Sequence, residues 1–329
     1  MRRKFFPAVL TILFLATVDL AQAQQTGKVL RIGFLDNSTA SGSVGRLEAF
    51  RQELNKLGWI EGKTITFEYR FAEQKPERLP ELSADLVRLK VGLIVVTSNP
   101  AALAAKNATA TIPIVMTTST DPVSTGLVAS LAHPGGNVTG LSSLAPELNT
   151  KRLEVLRDAV PKLARVGLLR WPGTNITADL QLKELRAAAL VLKLKLEEIE
   201  MQPDTKGLES AFQTAMQKHV GAIMTTPDSR FFDERKRIVE LAGKYRLPAI
   251  YPQKEYAEAG GLMSYGTDST DLHRRAAVYV DKILKGAKAA DLPVQQAMKF
   301  EFIINLKAAR QIGLTIPPNV LVRADKVIK

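Results

Sequence analysis

The 329-residue sequence contains no cysteine. Disulfides, a thiolate nucleophile and cysteine-ligated metals are therefore excluded. Its three histidines, His133, His219 and His273, lie far apart and lack acidic partners at metal-ligand spacing, so no metal site is expected. There is no Gly-x-Ser-x-Gly elbow and no GxxxxGK[ST] phosphate loop. With no nucleophile–base pair in view, the chain reads as a non-enzyme that needs no cofactor. Aromatic residues are few, at 6%, and do not interleave with a basic stripe. The formal charge of +12 is scattered over helix faces such as Phe232-Asp233-Glu234-Arg235-Lys236-Arg237 and Arg274-Arg275. It reads as a solvated basic surface, and a nucleic-acid partner is not expected. Long apolar runs are also missing. Phe5–Val18 is too short for an ordinary membrane span, and Asp19 lies just beyond it. Arg2-Arg3-Lys4 before that run and the small-x-small site Ala21-Gln22-Ala23 after it mark residues 1–23 as a secretory signal. Cleavage is expected after Ala23, which leaves a periplasmic mature chain.

What is present is organised around Val91–Asp121. Leu93–Val96 is a continuous apolar, β-rich run, the pattern of a strand buried on both faces of a parallel sheet. Ser98-Asn99-Pro100 then turns the chain into a helix, with Ser98 or Asn99 as N-cap and Pro100 at the first helical position. Ile112–Met116 is the next strand, and Thr117–Asp121 with Pro122 repeats the device, with Asp121 as cap. Two consecutive strands thus end at helix N-termini, where free N–H groups and helix dipoles hold polar or anionic groups.

The stretch occurs twice. VGLIVVTSNP at Val91 matches VGAIMTTPDS at Val220. The flanks follow: Leu30–Leu35 resembles Ala164–Leu169, Ile112–Val115 resembles Leu247–Ile250, and Gly135–Val138 resembles Gly260–Met263. In chain order the offsets are 134, 129, 135 and 125 residues. The second half retraces the first, which implies two similar α/β lobes with a cleft between their strand ends.

Along the chain, Val29–Leu35 and Ile65–Phe71 read as strands, and Gly45–Leu57 and Arg78–Leu89 as amphipathic helices. A helix is expected over Val123–Leu131, stopped by Pro134-Gly135-Gly136, and then a short strand over Asn137–Leu141. The second lobe opens with a helix at Asn149–Val160. Strands follow at Val166–Arg170, Lys195–Ile199 and Leu247–Ile250, and helices at Ala178–Leu192, Thr205–Lys218 and Phe231–Tyr245. Gly260–Tyr265 crosses back, Asp271–Leu284 is a helix of the first lobe, and Ala297–Ile304 crosses again. Asn305–Ile312, ended by Gly313, is the last helix, and a short tail completes the chain. The expected division is a first lobe of 29–140 plus 266–296 and a second of 141–265 plus 297–329.

Three crossings between two lobes, with RIGFLDNS, LGWIEGKTITFEYRFAE, LIVVTSNPAALAAKNATATIPIVM, TDPVSTGLVASLAHPGGNVTGLS, RIVELAGKYRLPAIY, EAGGLMSYGTD and NLKAARQIGLTIPP, resemble the substrate-binding proteins of ABC importers. Some relatives of that family handle aromatic amino acids. The resemblance covers essentially the whole mature chain. It implies two Rossmann-like lobes with parallel sheets joined by a three-crossing hinge, the type I periplasmic-binding fold. It also implies a monomer that closes on a small-molecule ligand and docks on a permease served by an ATPase. A ligand sensor that presents its ligand to a membrane receptor is the alternative on the same fold.

The strand-end loops supply the candidate contacts. From the first lobe these are Asn37, Ser38, Ser98, Asn99, Ser119, Thr120 and Asp121. From the second they are Trp171, Asn175, Thr226 and Asp228, with Tyr251 and Tyr265 near the crossings. The Ser98 and Ser119 hydroxyls suit a carboxylate, Asp228 an ammonium group, and Trp171 a planar ring. Asn99, Asp121 and Asp228 serve equally as helix caps, and the two tyrosines as core or hinge packing. The list suggests an amino acid or an aromatic-acid-like ligand, and a sugar or a nucleoside would satisfy much of the same list.

Overall fold

The computed structural model describes residues 29–171, 176–201 and 207–329. The first lobe begins as a regular alternation of β1 (Leu30–Asp36), α1 (Ala40–Lys56), β2 (Ile65–Phe71), α2 (Leu79–Arg88), β3 (Leu93–Val96), α3 (Asn99–Ala108), β4 (Ile114–Met116) and β5 (Val138–Ser142). The chain then passes into a second alternation of α4 (Ala145–Ala159), β6 (Arg165–Arg170), α5 (Ile176–Val191), β7 (Lys195–Glu200), α6 (Gly207–Gln217) and β8 (Ala222–Met224). This continues through α7 (Ser229–Asp233), α8 (Arg235–Lys244), β9 (Ala249–Tyr251), α9 (Lys254–Glu258) and β10 (Met263–Thr267). It returns to the first lobe for α10 (Ser269–Leu284) and β11 (Gln295–Gln296). The second lobe is completed by β12 (Phe300–Asn305), α11 (Leu306–Ile312), α12 (Pro318–Leu321) and β13 (Lys326–Ile328).

The sheets follow from side-chain alternation. Along β3, Leu93 and Val95 pack with Phe50 and Leu54 of α1 and Ala276 and Val280 of α10, while Ile94 and Val96 pack with Leu86 of α2 and Ala101 and Ala105 of α3. Successive residues point to opposite faces, so a wholly apolar strand demands helices on both. The second lobe repeats this, with Val166 and Leu168 of β6 facing α4 and α5, and Leu169 facing Phe212 and Leu241 of α6 and α8.

The first sheet runs β2-β1-β3-β4-β5-β11, all parallel. The second runs β7-β6-β8-β9-β10-β12-β13. It is parallel except where β12 lies antiparallel to β10, with Met263 opposite Ile304. That exception has a simple origin. β12 enters from the first lobe, at the carboxyl end of the other strands, and must run away from it. The lobes are therefore joined by three passages, after β5, after β10 and after β11, as the two-lobe, three-crossing reading expected.

Three local expectations are corrected. Val123–Leu131 is a set of turns, not a helix. Asp121 stands in the left-handed region (φ 45°), Gly126 does so again (φ 71°), and Leu127 and Val128 both donate to Pro122 O. Lys106 Nζ satisfies the freed carbonyls of Gly126 and Leu127 at 2.6 and 3.2 Å. Phe231–Tyr245 is two helices, α7 and α8, meeting at Glu234. The tail carries a helical turn and β13, which pairs in parallel with β12.

Candidate functional site

Strand order decides where the lobes can meet. In the first sheet β1 lies towards one edge, the crossing strands β5 and β11 form the other, and β3 and β4 lie between them. In the second sheet β8 and β9 lie between β6 and the crossing strands β10 and β12. The carboxyl ends of the parallel strands in each sheet face the other lobe.

At the β1 end the lobes touch directly. Asp36 accepts from the Ser38 N–H at 2.9 Å and from the Ser43 hydroxyl, which fixes the loop entering α1. From that loop Asn37 Nδ2 donates to Ser229 Oγ at 3.0 Å, and Ser38 Oγ donates to the two oxygens of Asp233 at 3.2 and 3.1 Å. Gln74, just after β2, donates to Asp233 Oδ2 at 2.8 Å. The guanidinium of Arg46 on α1 lies 4.8 Å from the ring centroid of Phe232 on α7, and that of Arg235 lies 4.5 Å from the same centroid. At the opposite end the crossings hold one another. Ser143 N–H donates to Ser119 O at 2.8 Å, Asp268 N–H donates to Lys299 O at 3.2 Å, and Gln295 pairs with Leu141. Leu144, left-handed at φ 52°, turns the first crossing into α4.

Between these two contacts lie the ends of β3, β4, β8 and β9, with Trp171 at the end of β6 beside them. Buried side-chain polar atoms normally have partners. Here several do not: Asn37 Oδ1, Thr97 Oγ1 and Thr117 Oγ1 in the first lobe, and the Trp171 indole N–H and the Tyr251 hydroxyl in the second, while the Thr225 and Tyr256 hydroxyls have only each other, at poor geometry. Gln253 Oε1 and Glu255 Oε2 at the start of α9 are likewise unpartnered. Aromatic rings back the second-lobe set. Tyr251 stacks on Tyr256 at 4.6 Å, Trp171 lies 5.8 Å from Phe231, and the Arg230 guanidinium covers the Trp171 ring at 5.0 Å. Hydroxyls and an indole N–H over a base of rings can bind a small molecule that is polar at one end and planar at the other.

The predicted residues fall into groups. Asn37 and Ser38 are in the lobe-to-lobe contact. Ser98 is the N-cap of α3, accepting from Ala101 N–H at 3.4 Å. Asn99 brackets the β4 loop: its Oδ1 accepts from Ser119 Oγ at 2.9 Å and Thr120 N–H at 2.8 Å, and its Nδ2 donates to Thr120 O at 2.6 Å and Thr125 Oγ1 at 3.4 Å. That spends its whole hydrogen-bonding capacity inside the first lobe. Ser119 and Thr120 are held by it, and Asp121 accepts from Ser124 N–H at 3.0 Å, closing a turn and capping no helix. Thr226 is partly buried after β8. Asp228 caps α7 and pairs with Arg230 at 2.7 Å, so its carboxylate is already compensated. Trp171 and Tyr251 belong to the aromatic base, Tyr251 being fully buried. Tyr265 packs edge-on against Phe302, and its carbonyl accepts from Arg152. Asn175 lies outside the described residues.

Sequence reasoning missed Gln74, Ser229 and Asp233 of the contact, the unpartnered Thr117, the neighbouring Thr225 and Tyr256, and two buried bases. Arg152 on α4 is 1% exposed, donates to Tyr265 O at 2.8 Å and to Asn149 Oδ1, and has no carboxylate partner among the described residues. Burial lowers its pKa to about 9. His273, equally buried, has its pKa pushed down to about 4 by burial and by the nearby Arg46 charge. Its neutral ring donates Nδ1–H to Ser269 O at 2.7 Å. Burial also raises the Glu255 carboxyl above its ordinary range.

Comparison with known proteins agrees with the fold. The sequence matches the family model of the ABC transporter substrate binding protein over residues 42–328. It is 28% identical over 285 residues to the tyrosine-binding protein of Clostridioides difficile, covering 86% of this chain and 81% of that protein. Among solved structures, a conserved domain protein from Vibrio cholerae superposes with a TM-score of 0.84 at 29% identity, covering 91% of this chain and all of that one. The ABC domain from Streptococcus pneumonia in complex with L-Trp superposes with a TM-score of 0.82 at 28% identity, covering 92% of this chain and all of that one. The two-lobed fold is the type I periplasmic-binding fold, and the chain belongs to the ABC transporter substrate-binding protein family.

Proposed function

We propose that this chain is the periplasmic solute-binding component of an ABC importer. It captures an amino acid with an aromatic side chain between its lobes and delivers it, as a monomer, to a membrane permease driven by an ATPase. The observation that carries this reading is the set of buried polar atoms without partners at the ends of β3, β4, β6 and β9, namely the Thr97, Thr117 and Tyr251 hydroxyls and the Trp171 indole N–H, with the Tyr251–Tyr256 stack behind them. The relatives named for tyrosine and solved with L-Trp support the same ligand class. The amino-terminal targeting pattern supports the periplasm, and among the described residues no helix is long and apolar enough to cross a membrane. Micromolar capture needs about −8 kcal/mol. A few hydrogen bonds to the ligand's charged groups at about 1.5–3 kcal/mol each, with burial of one ring, reach that figure.

Native mass spectrometry of protein purified gently from the periplasm tests the reading. A bound mass matching an aromatic amino acid, lost on denaturation, is expected. A bound sugar or nucleoside would overturn the ligand class. So would a thermal-shift panel in which aromatic amino acids leave the melting temperature unchanged.

A further inference from the structure

Asn37 and Ser38 stand where the lobes meet, and both turn to the opposite lobe: Asn37 donates to Ser229 while its Oδ1 stays without a partner, and Ser38 commits its hydroxyl hydrogen. The single hydroxyl hydrogen of Ser38 goes to Asp233, and Gln74 takes one oxygen of the same carboxylate. Two further features converge on that carboxylate. Glu73 and Gln74 are consecutive non-glycine residues in the left-handed region, at φ 52° and 62°. This is a conformation that L-residues adopt at a cost. It is held by backbone bonds from Glu73 N–H to Ser38 O (3.3 Å) and from Gln74 N–H to Asn37 O (2.9 Å). The strained turn sets Gln74 beside Ser38. The second feature is Gly42. It lies in the first turn of α1 with ordinary helical backbone, where alanine is favoured. A Cβ there would stand 2.1 Å from Asp233 Oδ1 and 2.7 Å from Ser38 Oγ. Asp233 of the other lobe makes the closer of the two approaches that crowd a side chain at this position, Ser38 of the same lobe the second.

We infer that Asp233, received by Ser38 and Gln74 against Gly42, is a latch that sets how tightly the protein holds its ligand without touching the ligand. It rests on the solute-capture reading above and deepens it. Apparent affinity scales with the fraction of molecules able to close. A contact made only when the lobes meet raises that fraction for every ligand and acts on dissociation more than on association. Asp233 and its partners are positioning residues.

The test uses the purified protein with L-tryptophan and L-tyrosine as probes, and three readouts: the dissociation constant, the dissociation rate, and the ligand-free radius of gyration from small-angle X-ray scattering. Gly42→Ala is expected to weaken binding at least tenfold, chiefly through faster release, and to enlarge the ligand-free radius of gyration. Its melting temperature is expected to fall by no more than about 3 °C, because the helix favours alanine while the Ser38 hydroxyl must rotate away. Asp233→Asn removes the charge and one of the two acceptor oxygens that Ser38 and Gln74 use, and Gln74→Glu faces one carboxylate with another, so each alone weakens binding. The double variant exchanges the two polarities and is expected to return to within about threefold of the native affinity. A merely structural role gives no such rescue. Gly42→Ala with native affinity and native radius of gyration would overturn the latch, as would a double variant no better than the worse single one. If the native protein binds neither amino acid, the ligand reading fails. The scattering comparison of native and Gly42→Ala protein then decides the latch by itself, with equal radii counting against it.

Discussion

Replacing Asn99 by alanine tests how the β4 end of the cleft is held. Asn99 is 4% exposed, and its side chain makes bonds at 2.9, 2.8, 2.6 and 3.4 Å, all within the first lobe. The variant strands the backbone N–H and C=O of Thr120, itself 9% exposed. The Ser119 hydroxyl can rotate to another acceptor, so it is left out of the sum. An unsatisfied buried polar group costs about 1–3 kcal/mol, and two fixed ones give roughly 3 kcal/mol of lost stability after local relaxation. Urea unfolding followed by circular dichroism measures it as a fall in midpoint with unchanged slope. Asn99→Asp separates the two halves of the bracket. It keeps both acceptor contacts but sets a carboxylate oxygen against Thr120 O, and is expected to lose at least half as much as alanine. A loss under about 1 kcal/mol for Asn99→Ala would refute the reasoning, because the loop would then hold its shape without the bracket.

Other outcomes follow from the same geometry. Thr117 is fully buried with an unpartnered hydroxyl. Thr117→Val is therefore expected to raise stability by about 1 kcal/mol while lowering ligand affinity, and unfolding and binding measured on one preparation would separate the two effects. His273 binds its proton at about 4 in the folded protein against an ordinary 6.5. The unfolded chain thus holds more protons between those values, and stability falls as pH drops from about 6.5 to about 4, by roughly 3 kcal/mol at most. His273→Asn, which keeps a donor for Ser269 O, is expected to flatten the urea midpoint across that window. At Gly140, φ is 127° and a Cβ would meet Met116 O at 2.2 Å. Gly140→Ala is expected to cost roughly 3 kcal/mol or more, visible as a melting temperature lower by about 10 °C or as loss of soluble protein.

The wholly apolar runs were readable before any coordinates. LIVV at β3 admits only a strand covered on both faces, and the polar-Pro loops after β3 and β8 end at helix N-caps because serine, asparagine and aspartate accept the first free N–H groups. The duplicated halves gave the two lobes, and the returns of the chain gave the crossings. The turns after β4 were not readable, because Val123, Leu127, Val128 and Leu131 carry a helical spacing that two left-handed residues override. Nor was the lobe-to-lobe contact. Asp233 sits in the charged run Phe232–Arg237, which reads as a solvated helix face. Its partners are 195 and 159 residues away at Ser38 and Gln74, and no local pattern reports a contact at that separation. Asn99 shows a further limit. A strand-end asparagine suits a ligand or a loop bracket equally, and only the position of the β4 loop commits its four bonds.

Titration calorimetry of L-tryptophan and of L-tyrosine into the purified protein tests the central claim most directly. The account predicts saturable one-to-one binding of at least one of them with a micromolar or lower dissociation constant. It also predicts a negative heat-capacity change, since capture in the proposed site removes the ligand's ring from water. Folded protein that gives no saturable heat with either amino acid between 10 and 37 °C would contradict it.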